Sequence, residues 1–398
     1  MRKSLNLNAS AILIVSIILL LFGLIMVLSA SSVVAYSWEK DSFYFLKRQI
    51  IWVIVGLGMM GFFANMDYRI LRKFSLTSIL LCNAFLVGVF IPGIGKSAGG
   101  AERWFSVGPV SFQPSEFAKI AIILFAADYL VKNREKLGDI STLYPLLLVS
   151  ASTIGLILIQ PDMGTAICIC LVLLTMLFLS GLPFFYLFIL GTLGSFLAFI
   201  AAISENYRKE RLLAFLNPWD DPQGIGFQII QSLLAFGSGG IFGLGIGASR
   251  QKFFYLPAAY TDFIFAIIGE ELGLIGTGTV VILFFLFAYF GLRIAFQTKN
   301  DFARLVAAGI TTLIVGQAVI NMGAVTSALP VTGIPLPLIS FGGSSLIFSM
   351  IAIGIILNIA MNRDKGKEQS ESSSNRRRNS GTRLSGSLRN RRIKKANF

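Results

Sequence analysis

Seven ionisable side chains fall inside or at the ends of long apolar runs: Glu116, Lys119, Asp128, Asp162, Asp262, Glu270 and Glu271. Charge at such positions is costly and usually serves a site or a buried pair. Glu116 and Lys119 are three apart, so they share a helix face and can pair. Asp162 follows Gln160-Pro161 at a junction between two apolar runs, and Asp262 stands where another begins. Arg103 lies in a short polar stretch just before the run that holds Lys119. Two cations, Arg103 and Lys119, with two carboxylates, Asp162 and Asp262, at one end of the spans would suit a lipid-linked pyrophosphate. A carboxylate can act as a base, while cations hold phosphate oxygens. Each residue also has a plainer reading. Asp262 at a helix start would make a good N-cap favoured by the helix dipole, and so stay ionised but weakly basic.

The elements that must position these groups are membrane helices. The chain has 398 residues, 55% hydrophobic and only 14% charged, with mean hydropathy +0.75. A soluble domain carries roughly 25% charge. The expected fold is an all-α polytopic membrane protein of about ten spans, near 11–34, 50–65, 75–93, 115–131, 143–160, 162–180, 184–203, 263–292, 304–327 and 344–361. The short alternating strands of an outer-membrane barrel are missing. Residues 1–362 form the integral membrane domain. Loop Lys and Arg residues put the N-terminus in the cytoplasm. Ten spans then return the C-terminus to the same side, and residues 204–262 become one long extracytoplasmic loop before the eighth span. Arg103, Gln160, Asp162 and Asp262 lie near the outer face in this topology, with Lys119 about one turn below.

The formal net charge is +14, but residues 363–398 hold 12 Lys and Arg against 3 Asp and Glu. This Ser/Arg-rich tail is expected to be disordered and cytoplasmic. It either attracts anionic lipid or simply fixes topology, and it does not imply nucleic-acid binding. The absence of histidine removes Ser-His-Asp triads, histidine metal sites and imidazole relays. Cys82, Cys168 and Cys170 all sit in apolar runs and read as packing residues. Within the long loop, Gln228, Gln231, Ser232 and Ala235 share one side of a short amphipathic helix, opposite Ile229, Ile230, Leu233 and Leu234.

Several stretches together resemble the SEDS family (shape, elongation, division and sporulation) of polytopic peptidoglycan glycosyltransferases. They are Arg103-Trp104, Ser111-Phe-Gln113-Pro-Ser115-Glu116-Phe-Ala-Lys119, Gln160-Pro-Asp162-Met-Gly164, Asn217-Pro, Gln231-Ser and Gly237-Ser-Gly-Gly240. They continue with Tyr255-Leu-Pro257, Thr261-Asp262, Gly269-Glu-Glu-Leu-Gly273, Pro330-Val-Thr-Gly333-Ile-Pro335-Leu-Pro337 and Ser340-Phe-Gly-Gly-Ser344-Ser345. The resemblance covers roughly residues 10–362, and Gly245 to Lys252 resembles the division type more than the elongation type. Pro257-Ala258-Ala259-Tyr260 departs from the family's usual acidic and His neighbours before Thr-Asp.

The resemblance implies lipid II, carried on undecaprenyl pyrophosphate, as substrate at the outer leaflet of the bacterial cytoplasmic membrane, at the division site. It implies Asp262 as the base and Arg103 and Lys119 on the pyrophosphates. Gln113, Ser115, Glu116, Gln160, Asp162, Ser344 and Ser345 would line the substrate site. A divalent cation, Mg or Mn, stays open at Asp262 or Asp162. The implied partners are a class B penicillin-binding protein and other division proteins. Glu270 and Glu271 are expected in structural roles. Three other readings stand beside the division-type polymerase: an elongation-type SEDS polymerase, a lipid II flippase, for which Asp128 near the opposite membrane face speaks most, and an inactive scaffold.

Overall fold

A computed structural model describes residues 7–91, 95–98, 101–107, 110–224 and 226–361; the basic tail, 363–398, lies outside the described residues. Among the described residues, the regular structure is helical apart from one small sheet. The helices are α1 (Leu7–Glu39), α2 (Tyr44–Asn65), α3 (Tyr68–Lys73), α4 (Ser75–Gly88), α5 (Pro114–Lys132), α6 (Tyr144–Ile159) and α7 (Met163–Ser180). There follow α8 (Phe184–Ile203), α9 (Asn206–Leu216), α10 (Phe227–Gly239), α11 (Ile264–Gln297), α12 (Asp301–Val325) and α13 (Gly343–Met361). Among the described residues, eight of these are long and apolar enough to cross a bilayer. Helices α4 and α5 occupy the expected third and fourth spans. The first has 14 residues, short of the roughly 20 a crossing needs, and the second carries Glu116, Lys119, Asp128 and Lys132.

The bundle is centred on α12 and α13, whose spans are mostly buried, whereas α8 buries none of its residues. Helix α12 packs on α11, α7 and α5. Small residues set these approaches, as is usual between membrane helices. A Cβ on Gly291 would stand 2.4 Å from Thr311 Oγ1, and one on Gly23 of α1 would stand 2.7 Å from the Ile339 Cα. The second contact lets the 334–341 segment sit directly on α1.

The segment between α4 and α5 folds into an antiparallel meander of β1 (Gly95–Ala98), β2 (Ala101–Val107) and β3 (Val110–Phe112), where an irregular outer loop was expected. Phe105 lies opposite Phe112, and both rings pack on Phe85 of α4. Arg103 stands two residues from Phe105 and so shares its face of the strand. The sheet therefore delivers a guanidinium to the α6–α7 turn.

In the long segment before α11 the expected short amphipathic helix forms as α10. Helix α10 packs on α11 and α12 with Ser232, Ala235 and Gly239 inward. Ile229 and Ile230 from the apolar side are buried with them, so the inner face straddles both sides of the helix; small residues permit close approach, and a Cβ on Gly239 would stand 2.0 Å from Gly269 O. Helix α11 itself breaks at Gly273, at φ +63°. The break is filled from residues 240–245: Leu244 N donates to Glu270 O, Gly245 N to Glu271 O, Leu274 N to Gly240 O and Ile275 N to Ile241 O.

Glu270 and Glu271 anchor the next stretch. Glu270 accepts from the amides of Arg250 and Gln251 and from the Ser249 hydroxyl. Glu271 accepts from Ser29 Oγ of α1 at 2.7 Å and lies 3.3 Å from Lys252 Nζ, with both partners buried. Removing one partner strands the other charge in a dry interior. Glu271→Ala is therefore expected to destabilise the protein by about 3–5 kcal/mol. Thermal unfolding in detergent checks it, and an unchanged midpoint would refute it.

Candidate active site

The N-terminal ends of α5, α7, α11 and α13 meet around Asp162 and Asp262. Asp162 is the N-cap of α7. Its Oδ1 accepts from Thr165 N at 3.1 Å, and its Oδ2 from Ser115 Oγ at 3.1 Å and Gln113 Nε2 at 3.4 Å. This buried carboxylate joins the starts of α5 and α7. Arg103 closes over the same turn: Nε donates to Gln160 O at 2.6 Å and an Nη2 hydrogen to Pro161 O at 2.7 Å. The Gln160 side chain turns away and donates to Leu86 O. Ser344, at the start of α13, donates to Ser111 O, and Ser345 is buried beside it.

Lys119 sits apart from this opening. Its ammonium pairs with Glu116 at 2.8 Å and donates to Gln317 Oε1 at 2.7 Å, with both charged side chains buried. The structure thus gives Lys119 an internal partner where a free phosphate ligand was expected. The chain offers a different cation. Arg211, from α9, reaches back over the 331–334 turn, its Nη1 3.4 Å from Val331 O. Gly333 has φ +70°, and the position a Cβ would take there is 3.7 Å from Asp262 Oδ2 and 3.8 Å from Arg211 Nη1. Carboxylate and guanidinium therefore flank one bare patch of backbone.

Asp262 does not cap α11. The N-cap position is Phe263, which has no side-chain cap bond. Among the described residues, the Asp262 carboxylate has no hydrogen bond or ion pair closer than these flanking groups. The side chain as a whole is half-buried, but the carboxylate stands within a dense shell of protein. That burial pushes its pKa up to about 7, with Arg211 and Arg103 pulling down and Asp162 pushing up. The expectation of a weakly basic, dipole-stabilised cap is thereby corrected. Desolvation outweighs the helix end because the cap interaction is never made.

The backbone around Asp262 is held from two sides. Ala258, at φ +57°, begins a turn whose carbonyl accepts from Thr261 N and Phe263 N. Tyr260 packs its ring between Phe45 and Phe341, with centroids at 4.6 and 5.8 Å. Tyr260 thereby makes the Ala258-Ala259-Tyr260 stretch an aromatic anchor.

At the other end of α5, Asp128 is paired with Arg72 at 2.8 Å and Lys132 at 2.7 Å, and Ser75 also donates to it. It pins α3, α4 and α5 together. Among the described residues, no group of three or more His, Cys, Asp and Glu side chains gathers to hold a metal.

An apolar cavity of about 360 Å³ opens beside the site, lined by Trp52, Phe85, Phe112, Phe117, Phe348 and Ile351 among others, with Ser111 and Ser344 at its polar edge.

Fold and site together define an integral membrane protein in which four helix starts converge on two carboxylates. The chain belongs to the FtsW/RodA/SpoVE family of cell cycle proteins, the SEDS family, whose model matches residues 9–365. It is 45% identical over 350 residues to the probable peptidoglycan glycosyltransferase FtsW of Geobacter sulfurreducens, covering 88% of this chain and 94% of that one. It is 43% identical over 352 residues to stage V sporulation protein E of Bacillus subtilis, covering 88% and 96%. Among solved structures, one described as a peptidoglycan synthase complex that coordinates polymerization and crosslinking has a chain 28% identical, with a TM-score of 0.71, covering 88% of this chain and 97% of that one. The rod shape determining protein RodA of Thermus thermophilus matches at 25% identity and a TM-score of 0.66, covering 88% and 96%.

Proposed function

We propose that this protein is a peptidoglycan glycosyltransferase that polymerises lipid II at the outer face of the cytoplasmic membrane, for the septal wall. Its termini are cytoplasmic, and its partner is a class B transpeptidase. The observation that carries the reading is Asp262, a carboxylate with a pKa near 7 beside Arg211 and within the field of Arg103.

In the reaction the acceptor sugar hydroxyl attacks the donor's anomeric carbon as Asp262 takes its proton. The bond from that carbon to the pyrophosphate oxygen breaks, and the pyrophosphate leaves with the electron pair. Pyrophosphate is already a good leaving group, so the step needs one base and nearby positive charge rather than the carboxylate pair of a hydrolase. Arg211, Arg103 and the converging helix N-termini supply that charge. Asp262 and the pyrophosphate oxygens are the groups that would share a divalent cation, which would add Lewis-acid charge on the leaving group; the Asp162 oxygens are already bonded within the protein. The adjoining apolar cavity suits a stretch of polyprenyl chain.

The flippase reading asks for charged groups along a path through both leaflets. Asp128, its best candidate, is tied into an ion-pair cluster with Arg72 and Lys132. Purified full-length protein with its transpeptidase and lipid II in detergent, where no leaflets exist, tests the choice. Glycan polymer is the expected product. A well-folded complex that makes none would overturn the reading.

A further inference from the structure

Two side chains grip the main chain on either side of the Asp262 side chain. Ser340 Oγ donates to Thr261 O at 2.6 Å, and Asn321 Nδ2 donates to Asp262 O at 2.7 Å. These are consecutive carbonyls, so the peptide that carries the carboxylate is fixed at both ends. Both gripping residues are buried, and both are tied to the 334–341 segment that packs over the site. Ser340 Oγ accepts from Leu336 N at 2.8 Å, and Asn321 Nδ2 also donates to Ile334 O at 2.8 Å. Phe341 N adds a bond to Tyr260 O at 3.0 Å. One turn before Asn321 on the same helix, Gln317 donates to Pro335 O at 2.9 Å and accepts from Lys119. The buried Glu116–Lys119 pair therefore reaches the same segment through α12.

Asn321 gives both amide hydrogens to carbonyls, while its buried Oδ1 has no partner among the described residues. An orphaned buried acceptor costs stability, which an apolar residue of similar size at that position would avoid. The cost is tolerated for what the donor end does. That end holds Asp262 O and Ile334 O together and so sets the distance between the carboxylate and the Gly333 patch where Arg211 also lies.

We propose that Asn321 and Ser340 are positioning residues for Asp262, a clamp that aims its carboxylate across Gly333, with Gln317 linking the clamp to Lys119. The inference rests on Asp262 being the base. It also gives Lys119 a part in the site without contact to phosphate. A misplacement of the reacting group by about 1 Å can cost on the order of 100-fold in rate.

Steady-state polymerisation of lipid II by the full-length protein with its transpeptidase tests the clamp, comparing wild type, Ser340→Ala, Asn321→Leu and Asp262→Ala. Size exclusion and thermal unfolding give the folded fraction of each. The expected result is a kcat per folded molecule reduced roughly 10- to 100-fold in both clamp variants with KM for lipid II unchanged. The acid limb of their pH profile should also move, because the carboxylate has shifted relative to Arg211, Arg103 and Asp162. A merely structural role would lower the folded fraction and leave kcat per folded molecule and the pH midpoint untouched, which overturns the proposal. If Asn321→Leu does not fold, Ser340→Ala, which removes one hydroxyl, decides alone. An inactive Asp262→Ala beside clamp variants of wild-type kcat and pH midpoint would sink the clamp only. Polymer from Asp262→Ala would sink the base assignment beneath it.

Discussion

Asp262→Asn is expected to abolish glycan polymerisation, with turnover falling roughly 10²- to 10⁴-fold, the usual contribution of a positioned general base. The amide keeps the size and shape of the carboxylate, so the Tyr260 anchor and the backbone bonds to Thr261 O and Asp262 O are undisturbed. What is lost is the ability to take the acceptor proton. The wild-type enzyme should show the matching pH dependence. Burial holds the Asp262 pKa at about 7, well above an ordinary carboxylate. Only the deprotonated form accepts a proton, so the rate falls about tenfold per pH unit below 7 and levels off above it. The groups facing this carboxylate are Arg211 from α9, Arg103 from β2 and Asp162 at the start of α7. A profile flat from pH 5 to 8, or an Asp262→Asn variant that still polymerises, would exclude Asp262 as the base.

The second large effect is expected at Arg211. Its Nη1 and the Asp262 carboxylate flank the same bare backbone at Gly333. A preorganised cation at a departing pyrophosphate is worth roughly 10²- to 10³-fold in rate, so Arg211→Ala should lower kcat by about that factor. Arg211→Lys should recover only part, because an ammonium cannot make the paired contact of a guanidinium. The substitution also carries a signature that a loss of packing would not produce. Arg211 pulls the Asp262 pKa down, so removing its charge moves the acid limb to higher pH. An Arg211→Ala enzyme with the wild-type pH midpoint would show that the guanidinium does not face the base.

Much of this arrangement was legible in the residues, and the rest was hidden for identifiable reasons. The apolar runs mark α6, α7, α8, α12 and α13 to within a few residues, and α1 and α2 with ends set short, because lipid demands long uninterrupted apolar helices. Span order alone puts Arg103, Gln160, Asp162 and Asp262 at one end of the helices. The small sheet escaped because Gly95 to Phe112 mixes glycine, serine and aromatic residues without clean alternation. Its register depends on Phe105 and Phe112 meeting Phe85, a contact across the fold. The basicity of Asp262 was misjudged by reasoning from its local position at a helix start; packing by distant segments decides it. Arg211 reads as one more charge on a polar surface helix until α9 is seen folded over the 331–334 turn. Gln317 and Asn321 left a signal that a search of ionisable groups alone passes over: two neutral amides four apart, on one face of an otherwise apolar span.

The break in α11 at Gly273 has one more implication. Backbone amides and carbonyls set free inside a hydrocarbon layer must find partners within the protein. Here the partners belong to Gly240 through Gly245, residues synthesised before α11 and resembling loose glycine-rich linker. Once seated, that stretch completes the hydrogen bonding of the helix it packs on. The broken helix is thus completed by a second piece of chain, and the two are expected to form as one cooperative unit.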